Sequence, residues 1–242
     1  MYNEEASIGI LLQNLERVIS SLNHKIEIVV VDDGSTDTSF SIVENFQLDS
    51  LKLVGLPRNE GKGAAVRHGV AKSSGDFVLI QDADLEYDPR EIVKLLGALS
   101  EGEPIAVYGS RVLGSRDEVQ GIRGFLGLWP GQGVPQWAFN TVLSIYHYAI
   151  TGVWLSDLLT GYKLYPRGVF QDWVSRTSGF ETDHEITMRL HSSGIRIIEV
   201  PISYSPRSKK QGKKIRARDA LTALRTIWRF RKQEIDLWTK PD

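Results

Sequence analysis

The sequence predicts an α/β fold, a mostly parallel central sheet flanked by helices. Two observations carry this. Over the first 110 residues, short β-branched apolar runs alternate with segments of helical apolar spacing, which is the pattern of βαβ units. Acidic clusters, "DDGSTD" (32–37) and "DAD" (82–84), fall at the ends of two of those runs, where open α/β sheets bind ligands.

In order, "ASIGILLQNLERVISSL" reads as helix, "IEIVVV" as strand, "TSFSIVENF" as helix and "LKLVGL" as strand. "GAAVRHGVAKS" is helical, "FVLI" a strand, "REIVKLLGALS" helical and "IAVYG" a strand. Residues 114–135, rich in glycine with two prolines ("GFLGLWPGQGVPQW"), read as a long loop, and loops of that length are functional or mobile. Helices at "WAFNTVLSIYHYAITGV" and "ETDHEITMRLHSSG", the strand "IRIIEVPI" and a helical tail over 215–238 complete the chain. No internal repeat or low-complexity linker divides it. The expected organisation is one domain over 1–242, with a nucleotide-binding part (1–111), an acceptor-side part (112–214) and a C-terminal amphipathic helix (215–238).

Composition narrows the function. Hydrophobic residues make up 41% of the 242 residues, enough for a sizeable core. A net charge of −1 argues against a general nucleic-acid binder. The absence of cysteine excludes disulfides, zinc-thiolate sites and thiol catalysis. No apolar run approaches the ~18 residues of a membrane span, and no signal peptide is evident. The expectation is a cytoplasmic protein, with any membrane contact peripheral or through a partner.

Four stretches carry chemistry. In "QDADLEYDP", Asp82 and Asp84 end a strand; hard divalent cations such as Mg²⁺ or Mn²⁺ take one or two carboxylates plus substrate phosphates. A solvated turn of helix-capping acids accounts for the same pattern, and Asp88 before Pro89 is such a cap. In "VVVDDGSTD", Asp32 and Asp33 suit hydrogen bonds to ribose or a base edge, or simply a capped loop. In "PRNEGKGAAVRHG", Arg58 and Lys62 stand just before a helix N-terminus, a place that favours anions, and equally a tight turn with solvated cations. In "SPRSKKQGKKI", Arg207, Lys209, Lys210, Lys213 and Lys214 form a basic loop suited to closing over a diphosphate or to an acidic membrane surface, though charge runs are usually solvated. The five histidines show no metal spacing, and His184 reads as a surface residue.

Taken together, "YNEE", "VVVDDGSTD", "GKGAAVRHG", "QDADLEYDP", "YGSR", "GYKLYPR", "GFETDHEIT" and "EVPISY" followed by Arg207 and "GKKI" resemble family 2 inverting glycosyltransferases of the GT-A (Rossmann-like) fold. The nearest branch is the dolichyl-phosphate mannosyltransferase-like and polyprenyl-phosphate glycosyltransferase group. The resemblance implies that Tyr2, Glu4, Val31 and Asp33 contact the donor's base and ribose. It makes Asp82, Ala83 and Asp84 the metal and nucleotide-sugar triplet, with Glu86 beside them. Lys62 joins the donor site, Arg111 stands near the donor phosphates and reacting centre, and Arg207 with Lys213 or Lys214 closes on the diphosphate. Relatives begin with a strand running into this motif, so the first strand is expected to be missing. Gln136 stands where some relatives carry a basic residue for the acceptor phosphate, and Asn140 is the candidate acceptor ligand.

The activity implied is metal-dependent, inverting transfer of a sugar from a nucleotide-sugar donor, GDP-mannose or a UDP-hexose, to a polyprenyl or dolichyl phosphate. Such a phosphate is already ionised at neutral pH, so catalysis falls to alignment and charge neutralisation, with Asp84 and Arg111 central. A sugar or protein hydroxyl acceptor would instead need a base, and the resemblance puts Asp183 or Glu181 where hydroxyl-directed relatives carry such a carboxylate. A non-catalytic nucleotide-binding or scaffold protein is the reading from another class. The implied location is peripheral, at the cytosolic face of a membrane. The arginine-rich tail helix suits an anionic membrane surface or a small membrane partner, or plain packing on the domain.

Overall fold

The computed structural model describes residues 1–99, 103–174, 177, 179, 181–207 and 217–231, without the side chains of 217–220. The first half follows the predicted alternation: α1 (Ile8–Ser20), β1 (Ile28–Asp32), α2 (Ser39–Glu44), β2 (Leu51–Gly55), α3 (Lys62–Lys72), β3 (Phe77–Ile80), α4 (Ile92–Gly97) and β4 (Ile105–Ser110). Asp88 caps the 3₁₀ turn Pro89–Glu91 that leads into α4, its side chain accepting from Arg90 N–H, as the Asp-Pro pair predicts.

Residues 114–135 correct the sequence reading. The segment holds most of α5 (Arg111–Glu118), α6 (Gly121–Phe125) and the start of α7 (Val134–Thr151), so it is largely helical rather than one long loop. Ser110 Oγ accepts from Leu113 N–H at 3.1 Å and starts α5. Gly114 serves packing inside that helix, since a Cβ there would stand 2.0 Å from the Ile202 carbonyl oxygen. A glycine that lets two backbones touch looks, in sequence, like a glycine that breaks a helix. Then follow β5 (Lys163–Pro166), α8 (Thr182–Ser192), β6 (Arg196–Pro201) and α9 (Ala217–Phe230); the tail beyond Arg231 lies outside the described residues.

The strands form a parallel pair, β1–β2, and a mixed sheet in the order β3–β5–β4–β6. The β4–β6 ladder is parallel, while β5 runs antiparallel to both β3 and β4. No strand joins the two sheets among the described residues. Met1 lies along β1, its amino group donating to Val31 O at 2.6 Å and its carbonyl accepting from Asp33 N–H at 2.8 Å. Glu27 ties the two sheets at their other end, taking Lys52 Nζ of β2 at 2.6 Å and, ahead of β3, Ser74 N–H and Gly75 N–H.

Alternation along β4 divides the core. Ile105 and Val107 face a cluster with Leu11, Leu12 and Leu15 of α1 and Leu95 of α4. Ala106 and Tyr108 face the other side, against Leu143 of α7, Ile186 and Leu190 of α8 and Ile227 of α9. With helices on both faces, the segment after β3 and the start of α5, which follows β4 directly, meet at Tyr204, which donates to Glu86 and lies against Arg111.

Candidate active site

Asp82 and Asp84 leave the end of β3 together with Glu86. Burial, then the like charges of Asp82 and Glu86, push the Asp84 carboxyl up to about 6; among the described residues its side chain accepts only a long bond from Glu86 N–H, 3.2 Å. This is a site with surplus negative charge and hard oxygen donors, which fits a divalent cation. Among the described residues no group of three or more histidine, cysteine, aspartate or glutamate side chains is arranged to hold a metal ion by itself.

Two groups of charges close on this end of the sheet. Arg207 spans it: its guanidinium grips the Glu4 carboxylate, its Nε donates to Asp84 O at 2.9 Å and its N–H to Glu86 at 2.8 Å. Tyr204 fixes the same Glu86 from its hydroxyl at 2.6 Å. The second group is Lys62, whose ammonium lies 3.0 Å from Asp82 and 3.7 Å from Asp183. Burial opposes the Lys62 charge, but Asp183 and Asp82 outweigh it and hold its pKa above the ordinary lysine value.

Beside them sits an ion pair of which the sequence reading identified only one partner. Arg111 binds Asp157 through Nε at 2.7 Å and Nη2 at 2.8 Å, and its own N–H donates to the same carboxylate at 3.0 Å. The guanidinium lies 4.4 Å from the Trp129 ring and 4.9 Å from that of Tyr204, and Asp157 is fully buried. Glu199 of β6 anchors the Asp157 turn by accepting from Ser156 N–H, Ser156 Oγ and Asp157 N–H at 2.7–3.0 Å. The available signal was a lone acid in the apolar run "VWLSDLLTGY".

The sequence-derived candidates fare differently. Tyr2 is half-buried, Val31 is a buried strand residue and Ala83 packs against the core. Asp33, expected at the donor, is buried and accepts from Glu60 N–H at 2.8 Å and Gly61 N–H at 2.9 Å. It is thus itself the anion that the helix N-terminus at 58–63 was expected to attract. Arg58, on the same turn, is exposed and near Glu60. Asp183 stands in the first turn of α8, whereas Glu181 turns back to accept from Gly179 N–H. His184 corrects another expectation: it is buried, 5% exposed, on the inner face of α8. Lys209, Lys210, Lys213 and Lys214 lie outside the described residues.

Gln136 and Asn140 sit one turn apart on α7. Gln136 is exposed, while Asn140 is buried, donates to Ser156 O at 2.9 Å and leaves Oδ1 without a partner. Asn140 lines a cavity of about 560 Å³ with Val112, Leu126, Trp137, Trp154 and Arg116.

Residues 1–173 match the family model described as Glycosyl transferase family 2. The chain belongs to glycosyl transferase family 2. Among its relatives, the dodecaprenyl-phosphate galacturonate synthase of Rhizobium johnstonii is 29% identical over 174 residues, 71% of this chain and 47% of that protein. The dolichol-phosphate mannosyltransferase of Pyrococcus furiosus is 26% identical over 241 residues, 96% of this chain and 62% of that protein. This family member thus spans about half to three fifths of the length of these two relatives. Among solved structures, mannosyl-3-phosphoglycerate synthase from Rubrobacter xylanophilus superposes with a TM-score of 0.67 at 17% identity, covering 95% of this chain and 70% of that one. Glucosyl-3-phosphoglycerate synthase from Mycobacterium tuberculosis, solved with Mn²⁺, UDP-glucose and phosphoglyceric acid, gives 0.65 at 18% identity over 96% and 77%. At those identities the likeness bears on the fold, which is GT-A.

Proposed function

We propose that this family 2 glycosyltransferase moves a hexose from a nucleotide-sugar donor to a polyprenyl phosphate with inversion. The observation that carries it is the arrangement at the end of β3: Asp82 and Asp84 crowded with Glu86, under an Arg207 strap and beside Lys62. The names of the relatives, each a transferase or synthase on a polyprenyl phosphate, support the acceptor class. Asp82 and Asp84 would hold Mg²⁺ or Mn²⁺, which would neutralise charge on the donor diphosphate. Tyr2, Glu4 and Val31 would face the nucleoside, with Ala83 and Glu86 alongside. Arg207 would exchange Glu4 for the diphosphate, joined by Lys213 or Lys214.

A lipid phosphate needs no base, because it is ionised at neutral pH. In this structure Asp183 faces the Lys62 ammonium at 3.7 Å, so its carboxylate is already engaged with a cation. Arg111, locked to Asp157, would shape the reacting centre while its fork stays engaged. Asn140 and Gln136 would stand on the acceptor side. The cavity walls suit an apolar chain, with Phe125 and Trp154 exposed at 77% and 53%. Peripheral contact with an anionic membrane, or with a small membrane partner, fits that surface; among the described residues no helix is long and apolar enough to cross a membrane.

The test is a panel of GDP- and UDP-sugars with Mg²⁺ or Mn²⁺ against a short-chain polyprenyl phosphate, with the product's anomeric configuration determined. Transfer to a sugar or peptide hydroxyl but not to the lipid phosphate would overturn the acceptor assignment. Nucleotide binding with no turnover under any condition would favour a scaffold role.

A further inference from the structure

We propose that Lys62 is a displaceable internal counter-ion that couples cation loading at the end of β3 to the first turn of α8; this rests on the metal reading given above. In this structure the ammonium is shared unequally, 3.0 and 3.1 Å from the two Asp82 oxygens and 3.7 Å from Asp183 Oδ2. All three side chains are largely enclosed, at 19%, 31% and 15% exposure for Lys62, Asp82 and Asp183.

The described surroundings of this cation bear on where it can go. Lys62 opens α3 directly after Gly61, whose N–H is held by the buried Asp33, so the root of its side chain is immobile. Gly161 makes room for the head: a Cβ there would stand 2.8 Å from Asp82 Oδ2 and 3.6 Å from Lys62 Nζ. From the same helix, Arg67 donates to Thr177 O at 3.2 Å, tying α3 to the segment that leads into α8. An ion arriving between Asp82 and Asp84 repels the ammonium and takes its partner. A shift of about 1 Å then brings it within hydrogen-bond distance of Asp183. Asp183 is on this account a positioning residue that receives Lys62, and donor loading tightens the link between α3 and α8 on the acceptor side.

The test titrates Mn²⁺ alone into the full chain, followed by electron paramagnetic resonance of free Mn²⁺ and by calorimetry. Lys62→Met removes the competing cation and is expected to tighten Mn²⁺ binding about tenfold. Asp183→Asn removes the carboxylate that receives Lys62, favours its place on Asp82 and is expected to weaken binding about threefold or more. In the double variant the Asp183→Asn effect vanishes, because the residue through which it acts is gone. A merely structural salt bridge would give neither the opposite signs nor the cancellation. Unchanged or weaker Mn²⁺ binding in Lys62→Met, or an Asp183→Asn effect that persists without Lys62, overturns the proposal. Should Lys62→Met fail to fold by circular dichroism, Asp183→Asn decides by itself: no weakening overturns it. If the wild-type chain binds no Mn²⁺ with or without UDP, the metal reading itself falls, and the coupling with it.

Discussion

Replacing Asp84 by asparagine is expected to stabilise the fold while removing transfer. Burial and the charges of Asp82 and Glu86 raise this carboxyl from its ordinary 3.8 to about 6. The folded chain therefore favours the neutral form more than the unfolded chain does. The associated stability is complete below about 3.8, is lost as pH rises through about 6, and stays lost above that. Two pH units at ~1.4 kcal/mol each would give about 3 kcal/mol, and partial exposure with solvent screening reduces this to about 1–2 kcal/mol. Asparagine keeps the shape and an oxygen for the Glu86 N–H. The assay is urea denaturation of metal-free protein at pH 7.5 and pH 4. The variant should be more stable by that amount at pH 7.5 and nearly equal to wild type at pH 4. Equal or lower stability at pH 7.5, or an advantage independent of pH, would show that this carboxylate is not strained and would remove the electrostatic case for a cation there.

Three other outcomes follow from the geometry. Asp157→Asn leaves the buried Arg111 guanidinium without its counter-charge and should destabilise by about 3–5 kcal/mol; adding Arg111→Met should recover part of this in chemical denaturation. His147 and His191, Nε2 to Nε2 at 2.9 Å, are lowered by burial to about 3 and about 4. Stability from this pair is therefore full above pH ~6.5 and falls as pH drops toward 4, and His191→Asn should flatten that fall by about 1–2 kcal/mol in denaturation series across the interval. Glu27, held near pKa 2 first by Lys52 and then by the Ser74 amide, joins the two sheets; Glu27→Gln should cost about 1–2 kcal/mol at pH 7 and lose that effect as pH falls from 4.5 through about 2, read from melting temperatures.

Much of the fold was legible because its signals are local. Helical and strand periodicities predicted the eight elements from α1 to β4, and the Asp-Pro pair predicted the turn before α4. The acidic clusters were rightly placed at strand ends, and Arg207 does draw together Glu4, Glu86 and the Asp84 carbonyl, while Asp82 pairs with Lys62. Where a residue's partner lies far along the chain, the reading failed or fell silent. The amides of Glu60 and Gly61 that Asp33 accepts from leave no mark near it in the sequence. His184 was taken for a surface residue because a charged neighbour outweighed its place on the inner face of α8. Gly114 added to the appearance of a loop at 114–135 because its close packing against Ile202 leaves no local mark.

By itself, then, the sequence determined the α/β alternation and which end of the sheet carries the acids, since both depend on neighbours a few residues apart. Only the tertiary structure decided which charges are already paired. Arg111 meets Asp157 across 46 residues and Arg207 meets Glu4 across 203, while β5 inserts antiparallel between β3 and β4. The physical reason is that a buried charge is stable only beside its partner, and burial and partnership are properties of chain packing that no local window contains.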